Sequence, residues 1–229
     1  MSKQLYESLV KLYRPDLFAY CPNGGCICIK EHESGAKVKG AELECHGQLL
    51  SIDNDFLQKA HGIYPDNTCT PELKHDCDGV LAVEVRGCKY LVFIELKSSY
   101  TKDNLQKAEK QLAASYLRVM SRLICIANFV PDAYKKCGII ISHPLDIAEK
   151  QKIKRKQQIG KRLDRYDRQA LTFATTCKKA FPLEKKYAQL CTLPVRKELL
   201  FDSLPIYHLD VSQSASQGRF NLEEILRKL

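Results

Sequence analysis

The alternation of apolar and polar residues is clearest in the middle of the chain, where it predicts two adjacent strands. Residues 80–85 and 90–96 are rich in β-branched and aromatic side chains, a composition typical of buried or half-buried strands. The short link between them contains Arg86-Gly87, and a link of this length joins antiparallel strands. The pattern therefore predicts a β-hairpin that is apolar along most of its length.

A long helix is predicted directly after this hairpin. Between residues 103 and 122, apolar residues such as Leu105, Leu112 and Val119 recur at helical spacing and form one apolar face. A further strand is predicted at 137–142. The order strand, strand, helix, strand favours an α/β domain built from packed layers.

Weaker patterns predict further elements on both sides of this unit. Helices are expected at 4–13, 41–60, 182–190 and from Asn221, and strands at 26–30, 124–129 and 205–211. The stretch at 61–75 contains Pro, Gly and Asn, the stretch at 212–218 is rich in Ser, and both predict loops.

Length and composition are those of a globular protein with one large domain or two small ones. The chain has 229 residues, of which 45% are apolar and 28% are charged, enough to form a core without disulfides or metals. No apolar run approaches the roughly 18 residues that span a bilayer, and the first residues contain no apolar export signal. We therefore expect no membrane partner and a cytoplasmic location.

The cysteines point to the same compartment. Their number, 11, is odd, and several lie inside apolar runs, as expected for reduced thiols in a cytosol. Cys21, Cys26 and Cys28, with Cys45 and His46 further along the chain, allow two interpretations. They could hold zinc or an iron–sulfur cluster, or they could be buried thiols.

Charged residues at the ends of the predicted hairpin interrupt its apolar pattern. Glu95 and Lys97 point to one face of the second strand, because side chains alternate with a period of two. Antiparallel pairing places Asp78, at the start of the first strand, at the same end of the sheet. Two converging carboxylates suit Mg²⁺, and a nearby lysine can orient water and stabilise a charged phosphoryl transition state. An ordinary salt bridge at a strand end is the alternative.

This arrangement resembles the PD-(D/E)xK nuclease superfamily. An aspartate on one strand, Glu95-x-Lys97 on the next and a helix afterwards match its motif, although Cys77 stands where many members have proline. The resemblance covers about residues 41–142. It implies that Asp78, Glu95 and the backbone carbonyl of Leu96 hold the metal, and that Lys97 acts on the attacking water.

Two further features of the superfamily can be placed on this chain. RecB-like members bring a glutamine from the following helix to the site within a QxxxY motif, where it positions the water or a phosphate. Gln111 matches that glutamine, whereas Tyr116 lies one position late and Ser115 stands at the expected place. A helix before the strands often carries a third acid, and the candidates for it are Glu44 and Glu42.

The resemblance implies a fold and a function. The fold is a restriction-endonuclease-like α/β core, a central mixed sheet flanked by helices, in a single domain of residues 1–229 with a basic extension at about 149–229. The function is hydrolysis of phosphodiester bonds with Mg²⁺ or Mn²⁺, with DNA favoured over RNA as the substrate. A binding module of the same fold that does not cut, working in a larger complex, is the alternative. Homo-oligomerisation and a role in defence, restriction or repair stay open.

The segment 149–169 is strongly basic in a chain whose net charge is +9, which favours a nucleic-acid partner. Its cations are expected to contact phosphates irrespective of the nucleic-acid sequence, with Lys154, Lys161, Arg165 and Arg168 on one helix face. The expected contacts are Lys152, Lys154, Arg155, Lys156, Lys161, Arg162 and Arg165. A solvated helix that only adds charge is the alternative interpretation.

Overall fold

A computed structural model describes residues 2–31, 34–58, 76–175, 180–188, 193 and 195–227. Within these ranges the chain forms ten strands and six α-helices. The strands are β1 (Phe18–Cys21), β2 (Gly25–Lys30), β3 (Gly40–Cys45), β4 (Gln48–Ile52), β5 (Gly79–Val85), β6 (Cys88–Lys97), β7 (Tyr134–Ser142), β8 (Phe181–Glu184), β9 (Ser203–Asp210) and β10 (Gln217–Asn221). The helices are α1 (Ser2–Leu12), α2 (Asn54–Gln58), α3 (Lys102–Leu123), α4 (Ile147–Gln158), α5 (Arg165–Thr175) and α6 (Leu222–Leu226).

The predicted hairpin is β5 and β6, at the centre of a seven-stranded sheet. The two strands are antiparallel, with Gly79 opposite Ile94. Arg86 and Gly87 both have positive φ angles, 51° and 78°. Tight hairpin turns that match the twist of the strands require this conformation at both central residues. The turn therefore fixes the register of the pair.

The sheet is mixed, and its strands run in the order β1-β4-β5-β6-β7-β9-β8. Strand β5 is antiparallel to both of its neighbours, β4 and β6, whereas β6, β7 and β9 are parallel to one another. The carboxyl ends of β6, β7 and β9 consequently meet at one edge of the sheet, where β5 begins.

Different elements pack on the two faces of this sheet. Leu9 of α1, Leu112 of α3 and Phe173 of α5 belong to the core on one face. A three-stranded sheet, β10-β3-β2, covers the other face together with α6. Alternation along β6 sends Phe93 towards the helices and Ile94 towards the small sheet. The fold is thus mixed α/β with a central mixed sheet flanked by helices.

Most of the predicted elements are confirmed, including the hairpin, the long helix and the strands at 26–30, 137–142 and 205–211. The helix predicted at 41–60 is wrong, because Ala41, Leu43 and Cys45 alternate with outward acids and form β3, which is followed by β4 and α2. Residues 61–75 lie outside the described part of the chain.

Two further predictions are corrected. Residues 124–129 form turns that close α3, in which the Ile124 amide donates to the Met120 carbonyl. Residues 181–184 form the edge strand β8, antiparallel to β9, where a helix was expected. Within the described residues, no helix is both long and apolar enough to cross a membrane.

A buried ion pair joins α5 to α3. Arg165 Nη1 donates to Glu109 Oε2 at 2.6 Å, and Gln169 Nε2 donates to Glu109 Oε1 at 3.2 Å. The Arg165 side chain is only 8% exposed and also donates to the Pro182 carbonyl at 3.1 Å. These bonds fix α5, and through it β8, against the long helix.

Replacing Arg165 with methionine is expected to destabilise the fold by about 3–5 kcal/mol, because it leaves the Glu109 carboxylate buried without its cation. Urea denaturation followed by circular dichroism measures this change. Lys102→Met is the control, since its bond to Asp164, 2.8 Å long, is largely exposed and should contribute little. Equal losses in the two variants would contradict the proposed role of the buried pair.

Candidate functional site

Two acids meet at the edge of the sheet where β6 ends and β5 begins. Because Gly79 pairs with Ile94, Asp78 lies opposite Glu95 on the neighbouring strand. The Leu96 amide donates to Asp78 Oδ2 at 2.7 Å, which continues the ladder by one side-chain bond. The hairpin register therefore brings Asp78 and Glu95 together.

Glu95 is the most deeply buried acid of this group. Its side chain is on the face covered by the helices, the residue is 0% exposed, and Lys97 Nζ donates to its Oε1. Its other oxygen, Oε2, is buried and has no hydrogen-bond partner. Burial, with the charge of Asp78 as the second cause, raises the pKa of Glu95 well above its ordinary value. A buried carboxylate in this state gains stability from any cation that reaches it.

The segment before Asp78 is held by one face of α3. Gln111 Nε2 donates to the Asp76 carbonyl at 3.1 Å, and the Cys77 amide donates to Ser115 Oγ at 2.8 Å. One turn further on, Arg118 forms an ion pair with the Asp76 carboxylate. Gln111 is therefore a positioning residue for the chain that carries Asp78. Ser115, at the place of the aromatic residue in the QxxxY motif, performs the same task.

The two candidates for a third acid do not join this pair. Glu42 and Glu44 are on the outer face of the small sheet, where their carboxylates lie 3.9 and 3.4 Å from the Arg219 guanidinium. Glu31, directly after β2, is an acid that the sequence reasoning missed. Its charge adds to the upward shift of the Glu95 pKa. No sequence motif marks Glu31, because it reaches this region through the packing of the small sheet.

An open cleft of about 650 Å³ adjoins Asp78. Lys30 and Asp53 line it, and so does Asn54, whose Nδ2 donates to the Asp78 carbonyl at 3.4 Å while its Oδ1 is buried without a partner. Gly79 allows the cleft wall to approach, since a Cβ there would lie 2.5 Å from Ile29 Cδ1. Asn54 is a second polar residue of this region that no sequence motif predicts.

Polar residues continue along the same edge and face of the sheet. Ser142 lies beside Lys97 on β7, and Asp210 lies beside Ser142 on β9. Ser142 Oγ lies 2.8 Å from His208 Nε2, and His208 Nδ1 lies 3.2 Å from Asp210 Oδ1. Burial lowers the pKa of His208 to about 3, so the ring is neutral at physiological pH. Sequence reasoning missed this group because its members are far apart in the chain.

The basic segment differs from its prediction in two ways. A turn at Gly160, whose φ is 68°, separates α4 from α5, so the expected cations do not share one helix face. Arg165 is buried against Glu109 and is removed from the set of phosphate contacts. Lys156 bonds to Asp167 at 3.0 Å and Lys152 to Glu149 at 3.2 Å. Of the expected phosphate contacts, Lys152, Lys154, Arg155, Lys161 and Arg162 are exposed.

The N-terminal cysteines are free thiols. Cys26 and Cys28 are on one face of β2 and are exposed, whereas burial was one of the expected interpretations, and Cys45 is buried. In the described ranges, no group of three or more His, Cys, Asp or Glu residues is placed to hold a metal. A thiol-based metal cluster therefore has no support in that part of the chain.

Comparison with protein-family models, with curated proteins and with solved structures finds no significant match to this chain.

The raised pKa of Glu95 predicts a pH dependence of stability. Between the unfolded pKa of Glu95, near 4.5, and its higher folded pKa, the folded state binds more protons than the unfolded state. The free energy of unfolding contributed by Glu95 therefore falls as pH rises through this window and is constant above it. Glu95→Gln should remove this decline, as measured by urea denaturation in EDTA from about pH 5 to about pH 8.

Glu44→Gln is the matched control for this measurement, since it changes an acid that is 39% exposed on the outer sheet. Its pH profile should follow that of the wild type. A Glu95→Gln profile that parallels the wild type throughout the window would show that Glu95 is ionised alike in both states.

Proposed function

We propose that this protein is a divalent-cation-dependent nuclease of the PD-(D/E)xK type that hydrolyses phosphodiester bonds, with DNA as the expected substrate. The observation that supports it most strongly is the state of Glu95. This carboxylate is wholly buried, lies opposite Asp78 and beside Lys97, and has an oxygen without a partner. Such a group is costly in a core and is explained by a bound cation.

The donor set fits Mg²⁺ or Mn²⁺ in its chemistry. Asp78 and Glu95 would hold the ion with carboxylate oxygens, and the Leu96 carbonyl, next to the amide that binds Asp78, would add a neutral oxygen. Two protein carboxylates are enough for Mg²⁺, which commonly keeps several water molecules as its other ligands. When bound, such an ion supplies positive charge to the phosphate and lowers the pKa of water.

The chain's own residues have distinct tasks in this proposal. Lys97, whose side chain is 10% exposed, orients the attacking water and stabilises the added negative charge on the phosphoryl group. The water oxygen forms a new P–O bond and releases a proton to solvent, the scissile P–O ester bond breaks, and the leaving oxygen takes a proton from solvent. Gln111 and Ser115 act indirectly, since they fix the backbone before Asp78.

The surrounding architecture supports the same proposal. Asp78 directly precedes β5 and Glu95 is on the adjacent antiparallel strand β6, with α1 earlier in the chain and α3 directly afterwards, as in the superfamily motif. Helix α4 starts shortly after β7 at the edge that carries the acids. Its exposed cations would then lie beside a substrate that crosses this edge, where they could bind phosphates.

Asp78→Asn and Glu95→Gln are each expected to reduce cleavage at least about 100-fold, the scale for losing one catalytic electrostatic contact. The assay incubates plasmid, linear duplex and single-stranded DNA, and RNA, with Mg²⁺, Mn²⁺ or EDTA. Cleavage should need the metal, and Lys97→Met should reduce it while leaving substrate binding intact. The identity of the cleaved polymer gives the substrate class.

Glu44→Gln is the control for charge, because its ion pair with Arg219 is on the other sheet. It should cleave like the wild type. Binding without cleavage in every condition would favour the alternative, a binding module of the same fold. Full activity in Glu95→Gln would contradict the assignment of the metal-binding acids.

The exposed cations of α4 predict a salt effect. The double change Lys154→Ala and Arg155→Ala should reduce the slope of log K against log salt by about 0.9 for each lost contact with duplex phosphate. Binding is measured by fluorescence anisotropy with labelled duplex DNA in Ca²⁺ or EDTA. The control is Lys89→Ala with Lys135→Ala, an equal loss of charge at the opposite edge of the sheet. A common slope for both variants would exclude a specific role for α4.

A further inference from the structure

Two adjoining cavities lie between the sheet edge and helices α3, α4 and α5. The smaller, about 100 Å³, is bordered by His208, Asp210 and Lys150, and the larger, about 310 Å³, by Lys102 and Tyr166. Both are lined by Tyr100, Leu145 and Ala170, so these three residues are their shared wall. Together the cavities reach the size of a small-molecule site.

Tyr100 carries an unsatisfied polar group in this wall. The residue is only 4% exposed, and its hydroxyl oxygen is buried without a hydrogen-bond partner. The ring itself is well packed, edge-on against His208 at 4.6 Å and against Phe173 at 5.8 Å between centroids. A buried hydroxyl normally finds a partner, and one without a partner in a cavity wall points to a ligand.

The lining combines apolar walls with a few polar groups. Phe173, Leu145 and Ala170 supply apolar surface, while the Tyr100 hydroxyl can donate and accept a hydrogen bond. Asp210 offers carboxylate oxygens and is half-exposed, and Lys150 stands beside it as a cation. This mixture suits a flat heterocycle with a polar edge better than it suits an aliphatic ligand or a bare anion.

The pocket is on the same face and at the same edge of the sheet as the acid pair. His208 is on β9, two strands away from Glu95, with Ile140 of β7 between them in register. Neighbouring strands are about 4.8 Å apart, so the two positions are separated by about 10 Å. That distance is within reach of the nucleotides that flank a scissile phosphate at Glu95.

The nearby serine, histidine and aspartate resemble a nucleophile, base and acid arrangement, but they do not form an acyl-transfer site. Ser142 is 0% exposed, and its hydroxyl also bonds to the His143 carbonyl at 2.8 Å. No external carbonyl can reach this oxygen. The three residues instead form a rigid floor that fixes His208 and Asp210 beside the cavity.

We infer that the pocket lined by Tyr100, Phe173 and Asp210 binds one unstacked nucleobase of the strand that is cut. The inference rests on the proposed nuclease function and adds a substrate preference to it. Tyr100 and Asp210 read the polar edge of the base, and Phe173 and Leu145 contact its apolar surface. Since a base must leave the duplex stack to enter, the pocket favours single-stranded or frayed ends over intact duplex.

The test uses Tyr100→Phe, which removes the hydroxyl and keeps the ring contacts with His208 and Phe173. The four nucleoside 5′-monophosphates are titrated in EDTA and followed by NMR chemical shifts, so no cleavage is needed. At least one nucleotide should shift pocket resonances, and ribose 5-phosphate should not. Tyr100→Phe should weaken binding about threefold to tenfold, the effect of one neutral hydrogen bond.

Tyr207→Phe is the matched control, since Tyr207 is buried on β9 but faces the small sheet, and it should bind like the wild type. Asp210→Asn is a second variant, which should change the order of preference among the four bases. If no nucleotide shifts the pocket resonances at millimolar concentration, or ribose 5-phosphate shifts them equally, the inference is overturned.

The outcomes separate the two proposals. If cleavage depends on Glu95 but no nucleotide binds in the pocket, the base site is overturned and the nuclease proposal stands. Binding of a nucleotide that requires the Tyr100 hydroxyl, in a protein that cuts no polymer, confirms the pocket and overturns the catalytic assignment. With both functions present, Tyr100→Phe should reduce the base preference of cleavage on single strands.

Discussion

The register of the β5–β6 hairpin determines where Asp78, Glu95 and Lys97 lie. A slip of one residue would turn Glu95 and Lys97 away from the helices and towards the small sheet, because side chains alternate along a strand. The turn at Arg86 and Gly87 sets the register at one end. At the other end, the Leu96 amide donates to the carboxylate of Asp78, itself a candidate site residue, and this bond fixes the last pair of the hairpin.

Helix α3 connects this register to the rest of the molecule. On one part of its surface Gln111 and Ser115 bind the backbone before Asp78, and Arg118 binds the Asp76 carboxylate. Elsewhere, Glu109 binds Arg165 and so fixes α5, which supplies Phe173 to the second pocket. One helix thus positions the acid pair and also a wall of the pocket beside it. Buried polar contacts of this kind specify position more than they add stability.

The features that depend on local periodicity could be predicted from the sequence. The hairpin and α3 have strong apolar patterns, and the alternation of Glu95 and Lys97 followed from the strand itself. The strand β3 was missed because it contains alanine, leucine and two outward glutamates, residues that also suit helices, and has no β-branched or aromatic residue.

The remaining features depend on contacts that composition does not reveal. In the sequence Arg165 is one cation of a basic run. Only the position of Glu109, on another helix, shows that Arg165 forms a buried ion pair. Ser142 and His208 are 66 residues apart and meet through the parallel pairing of β7 and β9. The unpartnered oxygens of Glu95 and Tyr100 are likewise products of packing, since any sequence pattern would treat them as ordinary side chains.

The small sheet has a consequence for the order in which the site is completed during synthesis. Strand β3 pairs with β10 in parallel, and Glu44 contacts Arg219 across 175 residues of chain. Contacts over such separations form late, because closing a long loop costs entropy before any pairing is gained. Strand β2, which carries the cleft wall beside Asp78, is attached to β3. A nascent chain can therefore form the acid pair before it contains β10, the strand that completes the small sheet and so stabilises the cleft.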